Sequence, residues 1–427
     1  MMKPYASLTP AEREGEHARL RAEFDALKAR GLSLNMARGK PGKAQLDLVS
    51  DIFGLMQEPG DYVSDGIDVR NYGELSGLPA AKRLFAEILG CKPQQVFVGG
   101  SSSLQLMYDT VCKAYTHGLL HSPRPWCREE RVKWLCPAPG YDRHFKVTES
   151  FGFELTAVPM TDEGPDMDAV EAAVKDPAVK GIWCVPKYSN PDGIIYSHET
   201  IRRMAALEPA APDFLIMWDN AYCVHDLTDE PAELLNIYDE CVKEGTEDQV
   251  IIFASTSKIS FPGAGVAALA SSAKTIASLK SRTTIQTIGS DKLNQLRHVL
   301  FLHDADGVRS LMKGHRQILA PKFRIVLDAL ERELGGLGIA RWSEPKGGYF
   351  VCLDVLDGCA KRVVGLCKEA GVTLTDAGAT YPYGNDPHDS NIRIAPSFPP
   401  QEELRDAMEL LCVAIKLAAA EKLLEER

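Results

Sequence analysis

Apolar runs that each close on a polar loop set the frame of this chain. Gln95-Val96-Phe97-Val98 empties into Gly99-Gly100-Ser101-Ser102-Ser103, and Gly181-Ile182-Trp183-Cys184-Val185 leads to Tyr188-Ser189-Asn190-Pro191-Asp192-Gly193. Phe214-Leu215-Ile216-Met217-Trp218 closes on Asp219-Asn220-Ala221-Tyr222, and the run from Gln249 to Ala254 on Ser255-Thr256-Ser257-Lys258. Short apolar runs bounded by such loops predict strands. From Glu154 through about residue 270 strand-like and helix-like stretches alternate, which predicts a mostly parallel sheet with right-handed crossovers.

The flanks carry their own signals. Thr9-Pro10-Ala11-Glu12 is a capping box that opens a helix with Leu20, Phe24 and Leu27 on one face and Gly31 at its end. Asn35 to Pro41 reads as a polar crossing segment. Helices are expected from Pro79 to Gly90 and from Leu104 to Tyr115, with a strand over Arg131 to Cys136. His303 to Leu334 reads as a helix bridging into a second domain. There, Arg341 to Val355 and Val372 to Thr375 read as strands, with a helix from Lys361 to Ala370 between them. A short strand at Asn391 to Ile394 and a closing helix from Pro400 to Glu425 complete the pattern. The expected architecture is α/β, with a large domain whose mostly parallel sheet is flanked by helices and a smaller α+β domain built from both chain ends. The expected boundaries are residues 1–50 for the segment joining the small domain, 51–310 for the large domain and 311–427 for the small one.

Composition narrows the function. A chain of 427 residues, 45% hydrophobic, can bury a large core in two domains. Its net charge of -11 argues against nucleic acid as a partner, because phosphate backbones are held by clustered Lys and Arg. Glu12, Glu14 and Glu16 break up any leader-like segment, and no run approaches the roughly 20 apolar residues of a membrane helix. Eleven cysteines without a C-x-x-C pair read as reduced, buried small hydrophobes and not as a disulfide or metal framework. The expected setting is the cytoplasm.

Chemistry concentrates at the strand ends. Ser255-x-Ser257-Lys258 puts a lysine amine at the rim of a sheet, where it can serve as a Schiff-base nucleophile, although most lysines are solvated charges. Asp219 ends a neighbouring strand, and open α/β sheets bind ligands outside such ends. Ser101, Ser102 and Ser103 with their two glycines, just before a helix, form an anion cradle of free amides and hydroxyls; plain N-capping is the alternative. Gly39, flanked by Arg38 and Lys40, permits close backbone approach to a ligand. Arg393, fixed in a strand, presents a planar fork suited to a carboxylate, with a surface ion pair as the alternative.

Taken together the pieces resemble the aspartate aminotransferase superfamily, pyridoxal-phosphate (PLP) enzymes of fold type I. Met36-Ala37-Arg38-Gly39-Lys40-Pro41, Asn71-Tyr72-Gly73-Glu74-Leu75 and Ser390-Asn391-Ile392-Arg393-Ile394-Ala395-Pro396 are similar to a less common bacterial, MocR-type branch of aspartate aminotransferases. The resemblance implies that Lys258 is the Schiff-base lysine and that Asp219 partners the cofactor's ring nitrogen. It implies that Tyr141 stacks on the ring and that Asn190 and Tyr222 donate to its phenolic oxygen. Ser101, Ser102, Ser103, Ser255 and Ser257 then belong to the phosphate site. Tyr72 is expected to reach the phosphate of a partner subunit in a homodimer with shared active sites, unless it is a packed surface tyrosine. Gly39, Asn190 and Arg393 are expected at the substrate, with Arg393 on the α-carboxylate, and His144 reads as a helix-face residue without a chemical role. The implied reaction is amino transfer between an amino acid, aspartate or glutamate, and 2-oxoglutarate or oxaloacetate. A PLP lyase or decarboxylase and a non-catalytic PLP-binding regulator are the alternatives. The chain departs from the pattern at one point, because Ile259 to Ala270 holds no basic residue where relatives place a phosphate arginine; Arg282, Lys292 and Arg297 are the candidate substitutes.

Overall fold

The computed structural model describes residues 3–425. Helix α1 (Pro10–Lys28) begins as the capping box requires, with Thr9 accepting from the Glu12 amide and Glu12 returning a bond to the Thr9 amide. The large sheet follows, with strands β1 (Val96–Val98), β2 (Lys133–Ala138), β3 (Glu154–Thr161), β4 (Gly164–Pro165), β5 (Val179–Cys184), β6 (Leu215–Asp219), β7 (Val250–Ser255) and β8 (Ala267–Ala270). Their order is β1-β8-β7-β6-β5-β2-β3-β4. Strands β7, β6, β5, β2 and β3 pair in parallel, while β8 runs antiparallel to both its neighbours and β4 antiparallel to β3.

The apolar runs are continuous because both faces of the sheet are covered. Ile182, Cys184, Ile216, Trp218, Ile252 and Ala254 point into one core. Their immediate neighbours Trp183, Leu215, Met217, Ile251 and Phe253 point into another. The strands therefore alternate between two buried layers, not between core and water. Helices α2 (Ser103–His117), α3 (Asp142–Ser150), α4 (Ala273–Gln286) and α5 (Lys292–Leu302) pack around this sheet.

Helix α6 (Ala305–Leu334) runs unbroken past residue 311 and carries Pro321 inside it. Beyond it lie β9 (Ala340–Trp342), β10 (Val351–Val355), α7 (Ala360–Glu369), β11 (Asn391–Ile394) and α8 (Gln401–Glu425). The expected strand from Arg341 to Val355 is instead two antiparallel strands, β9 and β10. The connection between them contains Gly347-Gly348, where a Cβ on Gly347 would fall 2.2 Å from the Tyr188 ring. A single straight strand could not make that approach. Both chain ends build the smaller core, in which Leu20, Phe24, Leu27 and Met36 pack with Phe323, Leu353, Leu366 and Leu411. Leu34 and Asn35 pair in parallel with Val372 and Thr373, and Arg30 bonds Glu409 of α8 at 2.7 Å. Among the described residues no helix is long and apolar enough to cross a membrane, and no cysteine is in a disulfide.

Candidate active site

Adjacent strands deliver the two charged groups. Strand β6 ends at Asp219, which lies beside Phe253 of β7. Strand β7 ends at Ser255, so Lys258 sits in the single turn that follows and not on the strand itself. That turn is pinned by Thr256, whose hydroxyl accepts from the Val266 amide at 2.9 Å. The half-buried Lys258 Nζ stands 4.9 Å from the centroid of Tyr222 and 5.8 Å from that of Tyr349, where ring faces attract a cation.

Asp219 is almost fully buried. Its Oδ2 accepts from His144 Nε2 at 2.9 Å, and its Oδ1 has no hydrogen-bond partner among the described residues. His144 is held flat on Trp183, with centroids 4.6 Å apart and planes at 15°, and edge-on to Tyr141 at 4.8 Å. His144 thus lies on a helix, α3, as expected, but its ring is buried against the site carboxylate. The signal for it is its place in the first turn of α3, three residues after Tyr141 at the start of that helix. Burial raises the Tyr141 hydroxyl to about 12, and burial followed by the Asp219 charge pushes that of Tyr222 well above its ordinary value. Both phenols therefore stay protonated and can donate.

A neutral histidine layer lies beneath the lysine. His225 Nε2 donates to the Lys258 carbonyl at 3.3 Å, and its pKa falls to about 3 through burial and then the charge of Lys258. His315 Nε2 donates to the Ile259 carbonyl at 2.9 Å, which leaves Nδ1 to accept from Gln45 at 3.0 Å; Gln45 also donates to the Tyr349 hydroxyl. No periodicity in the sequence announces these contacts, because they join segments far apart in the chain.

The serines converge at one place. Ser255 Oγ lies 3.1 Å from Ser257 Oγ. A Cβ on Gly265 would lie 2.8 Å from the Ser101 carbonyl and 3.2 Å from Ser257 Oγ, so only a glycine lets these two loops close together. Asn294 of α5 fixes that turn by donating to the carbonyls of Ala264 and Gly265. Ser102 caps α2, accepting from the Gln105 amide at 3.4 Å, while the amides before Gln105 in that first turn have no acceptor within the helix. Of the three basic residues that could balance a phosphate, Arg282 turns back onto Ser278 and Lys292 donates to the Gly73 carbonyl, while Arg297 is half-buried on α5.

Arg393 closes the opposite side. In β11, beside Cys352 of β10, its Nη1 donates to Asp142 at 2.8 Å and to Asn190 Oδ1 at 3.1 Å, and its Nη2 to Thr375 at 3.2 Å. Its Nε is buried without a partner among the described residues, and its guanidinium lies 4.9 Å from the Phe350 centroid. Gly39 lies over the same Phe350, where a Cβ would come within 2.8 Å of the ring. Tyr72 is 83% exposed and lines a cavity with Arg70, Thr287 and Lys292.

A flat ring with a protonated nitrogen would find at Asp219 Oδ1 the acceptor it needs, and an anionic tail would find serine hydroxyls and helix-start amides. The donor set fits PLP, and Arg393 adds a fork for a carboxylate.

The aspartate amino-transferase family profile matches residues 8–427. The aspartate aminotransferase of Corynebacterium glutamicum is 47% identical over 412 residues, covering 96% of this chain and 95% of that one. The crystal structure of an aspartate transaminase from Corynebacterium glutamicum superposes with a TM-score of 0.94 at 45% identity, covering 97% and 99% of the two chains. More distantly, the alpha-aminoadipate aminotransferase of Thermus thermophilus, complexed with N-(5'-phosphopyridoxyl)-L-leucine, shares the fold at a TM-score of 0.75 and 21% identity, covering 96% and 98%.

Proposed function

This chain belongs to the aspartate amino-transferase family and is a transaminase, and from that premise we propose that it works with PLP at Lys258. In our reading it moves an amino group between aspartate or glutamate and 2-oxoglutarate or oxaloacetate in two half-reactions. The observation that carries the reading is Asp219, buried, with one oxygen on His144 and the other free for a ring nitrogen.

When bound, PLP supplies an electron-accepting ring and the carbon that receives the amino group. The chain's residues do the rest. Asp219 keeps the ring nitrogen protonated, and His144 orients Asp219. Tyr141 would pack against the ring, and the protonated hydroxyl of Tyr222 and the side-chain amide of Asn190 would donate to its phenolic oxygen. Ser101, Ser102, Ser103, Ser255 and Ser257 hold the phosphate. The Lys258 amine would take the proton from the substrate Cα as general base and deliver it, as general acid, to the cofactor carbon that receives the amino group. Arg393 holds the α-carboxylate, and Gly39 lets the backbone close over it.

A homodimer with shared sites fits the surface. Tyr72, Ile285 and Ile288 are 83%, 84% and 62% exposed, and a cavity of about 490 Å³ lined by Arg70–Gly73 and Thr287–Gly289 lies among them. A cytoplasmic setting would keep the eleven thiols reduced. The test is a panel of amino donors against 2-oxoglutarate, with cofactor absorbance followed at each addition. Dicarboxylic donors should react fastest; a product formed without a keto-acid acceptor would point to a lyase instead.

A further inference from the structure

Arg393 has an anion of its own. Its guanidinium is 5% exposed, and a cation so buried is costly unless a negative charge faces it. Asn190, Thr375 and the Phe350 face offer only neutral contacts. The charge comes from Asp142 Oδ1 at 2.8 Å, a side chain from the first turn of α3. Asp142 is a quarter exposed, so it has a route to water. Its other oxygen lies 4.0 Å from Arg143 Nε, on a side chain 46% exposed. Asp142 therefore stands between two cations, one buried in the site and one at the surface.

We propose that Asp142 is a built-in carboxylate that neutralises Arg393 until the α-carboxylate of a substrate displaces it toward Arg143, and that this exchange sets how tightly every amino and keto acid is held. The proposal rests on the reading of Arg393 as the α-carboxylate anchor. An incoming carboxylate can take the Nε and Nη2 edge of the guanidinium, but it then shares one positive charge with Asp142. Whether Asp142 leaves or stays, its charge opposes the ligand, so the sign of the effect is fixed. Arg143 acts through Asp142: it receives the displaced carboxylate and should favour binding. Because the opposition acts on ground state and transition state alike, it should move KM and leave kcat nearly constant.

The experiment uses the holoenzyme and the variants Asp142→Asn, Arg143→Ala and their combination. KM and kcat are measured with aspartate and 2-oxoglutarate, and succinate, which cannot react, is titrated by calorimetry. Asp142→Asn should lower KM and the succinate Kd roughly tenfold, the scale of one charge-assisted contact, with kcat within about twofold. Arg143→Ala should raise both, and should do nothing once Asp142 is Asn. Asp142→Ser, which keeps a hydroxyl at the helix start, serves if the Asn variant does not fold. A higher or unchanged KM and Kd in Asp142→Asn would overturn the proposal, as would an Arg143→Ala effect that persists in the double variant. Arg393→Ala separates the two readings. If it leaves succinate binding intact the anchor itself is wrong; if it abolishes binding while Asp142→Asn changes nothing, only the counter-ion role fails.

Discussion

Replacing His144 with phenylalanine asks what the Asp219 carboxylate depends on. A phenyl ring can keep the stack on Trp183, now at 4.6 Å, so the change isolates the Nε2–H donated to Asp219 Oδ2. The two side chains are 1% and 5% exposed, which leaves little room for water to replace the lost donor. A hydrogen bond to a charged group contributes about 1.5 to 3 kcal/mol, which corresponds to roughly a tenfold to hundredfold change. If His144 acts by holding Asp219 on the ring nitrogen, kcat/KM for aspartate should fall by that factor even at saturating PLP. The assay is the half-reaction with aspartate followed by cofactor absorbance, in the wild-type and Asp219→Asn backgrounds. In the second background the penalty should shrink to less than about threefold, since the two residues act as one unit. A loss below about twofold in the wild type, or an equal loss in both backgrounds, would refute the coupling and leave His144 as packing.

Two further outcomes are expected. One of Arg38, Lys40, Arg70, Arg282, Lys292 and Arg297, changed to alanine, should reduce activity with aspartate by roughly tenfold to a hundredfold, the worth of a second charge-assisted contact, and spare alanine or leucine as donors; steady-state kinetics on the six variants would show it, and uniform losses across donors would count against it. Burial raises the Asp192 carboxyl from 3.8 to about 7, against the lowering effect of a Cys352 hydrogen bond. The folded chain therefore binds a proton that the unfolded chain has lost, and this stabilisation falls by about 1.4 kcal/mol per unit between those pH values and is gone above about 7. Asp192→Asn should flatten that part of the thermal-unfolding profile between pH 5 and 8; an unchanged slope would show that Asp192 is ionised in the folded protein.

The strands that carry the site are legible in the sequence because burial on both faces leaves an uninterrupted apolar run, and each run ends where its chemistry begins. Lys258 and Asp219 can be picked out as candidates for that reason, and Arg393 because a charge stands between two isoleucines inside a short strand. The helix from residue 305 to 334 is legible even across Pro321, because its apolar positions keep their period on either side. Contacts between distant segments are not. Asp142 and Arg393 are 251 positions apart and His144 and Asp219 are 75 apart, and only the complete fold brings their elements together. The expected strand from Arg341 to Val355 overruns the connection Ser343-Glu344-Pro345-Lys346-Gly347-Gly348, whose polar residues, proline and paired glycines are themselves turn signals.

Everything proposed for the site turns on Lys258 as the lysine that bonds the cofactor. Purified protein incubated with PLP, reduced with borohydride and digested should yield one modified peptide, spanning Ser255 to Lys258 and carrying the cofactor on Lys258, and Lys258→Ala should fold and yield none. Cofactor fixed on any other lysine, or equal labelling in Lys258→Ala, would show that Lys258 does not carry it.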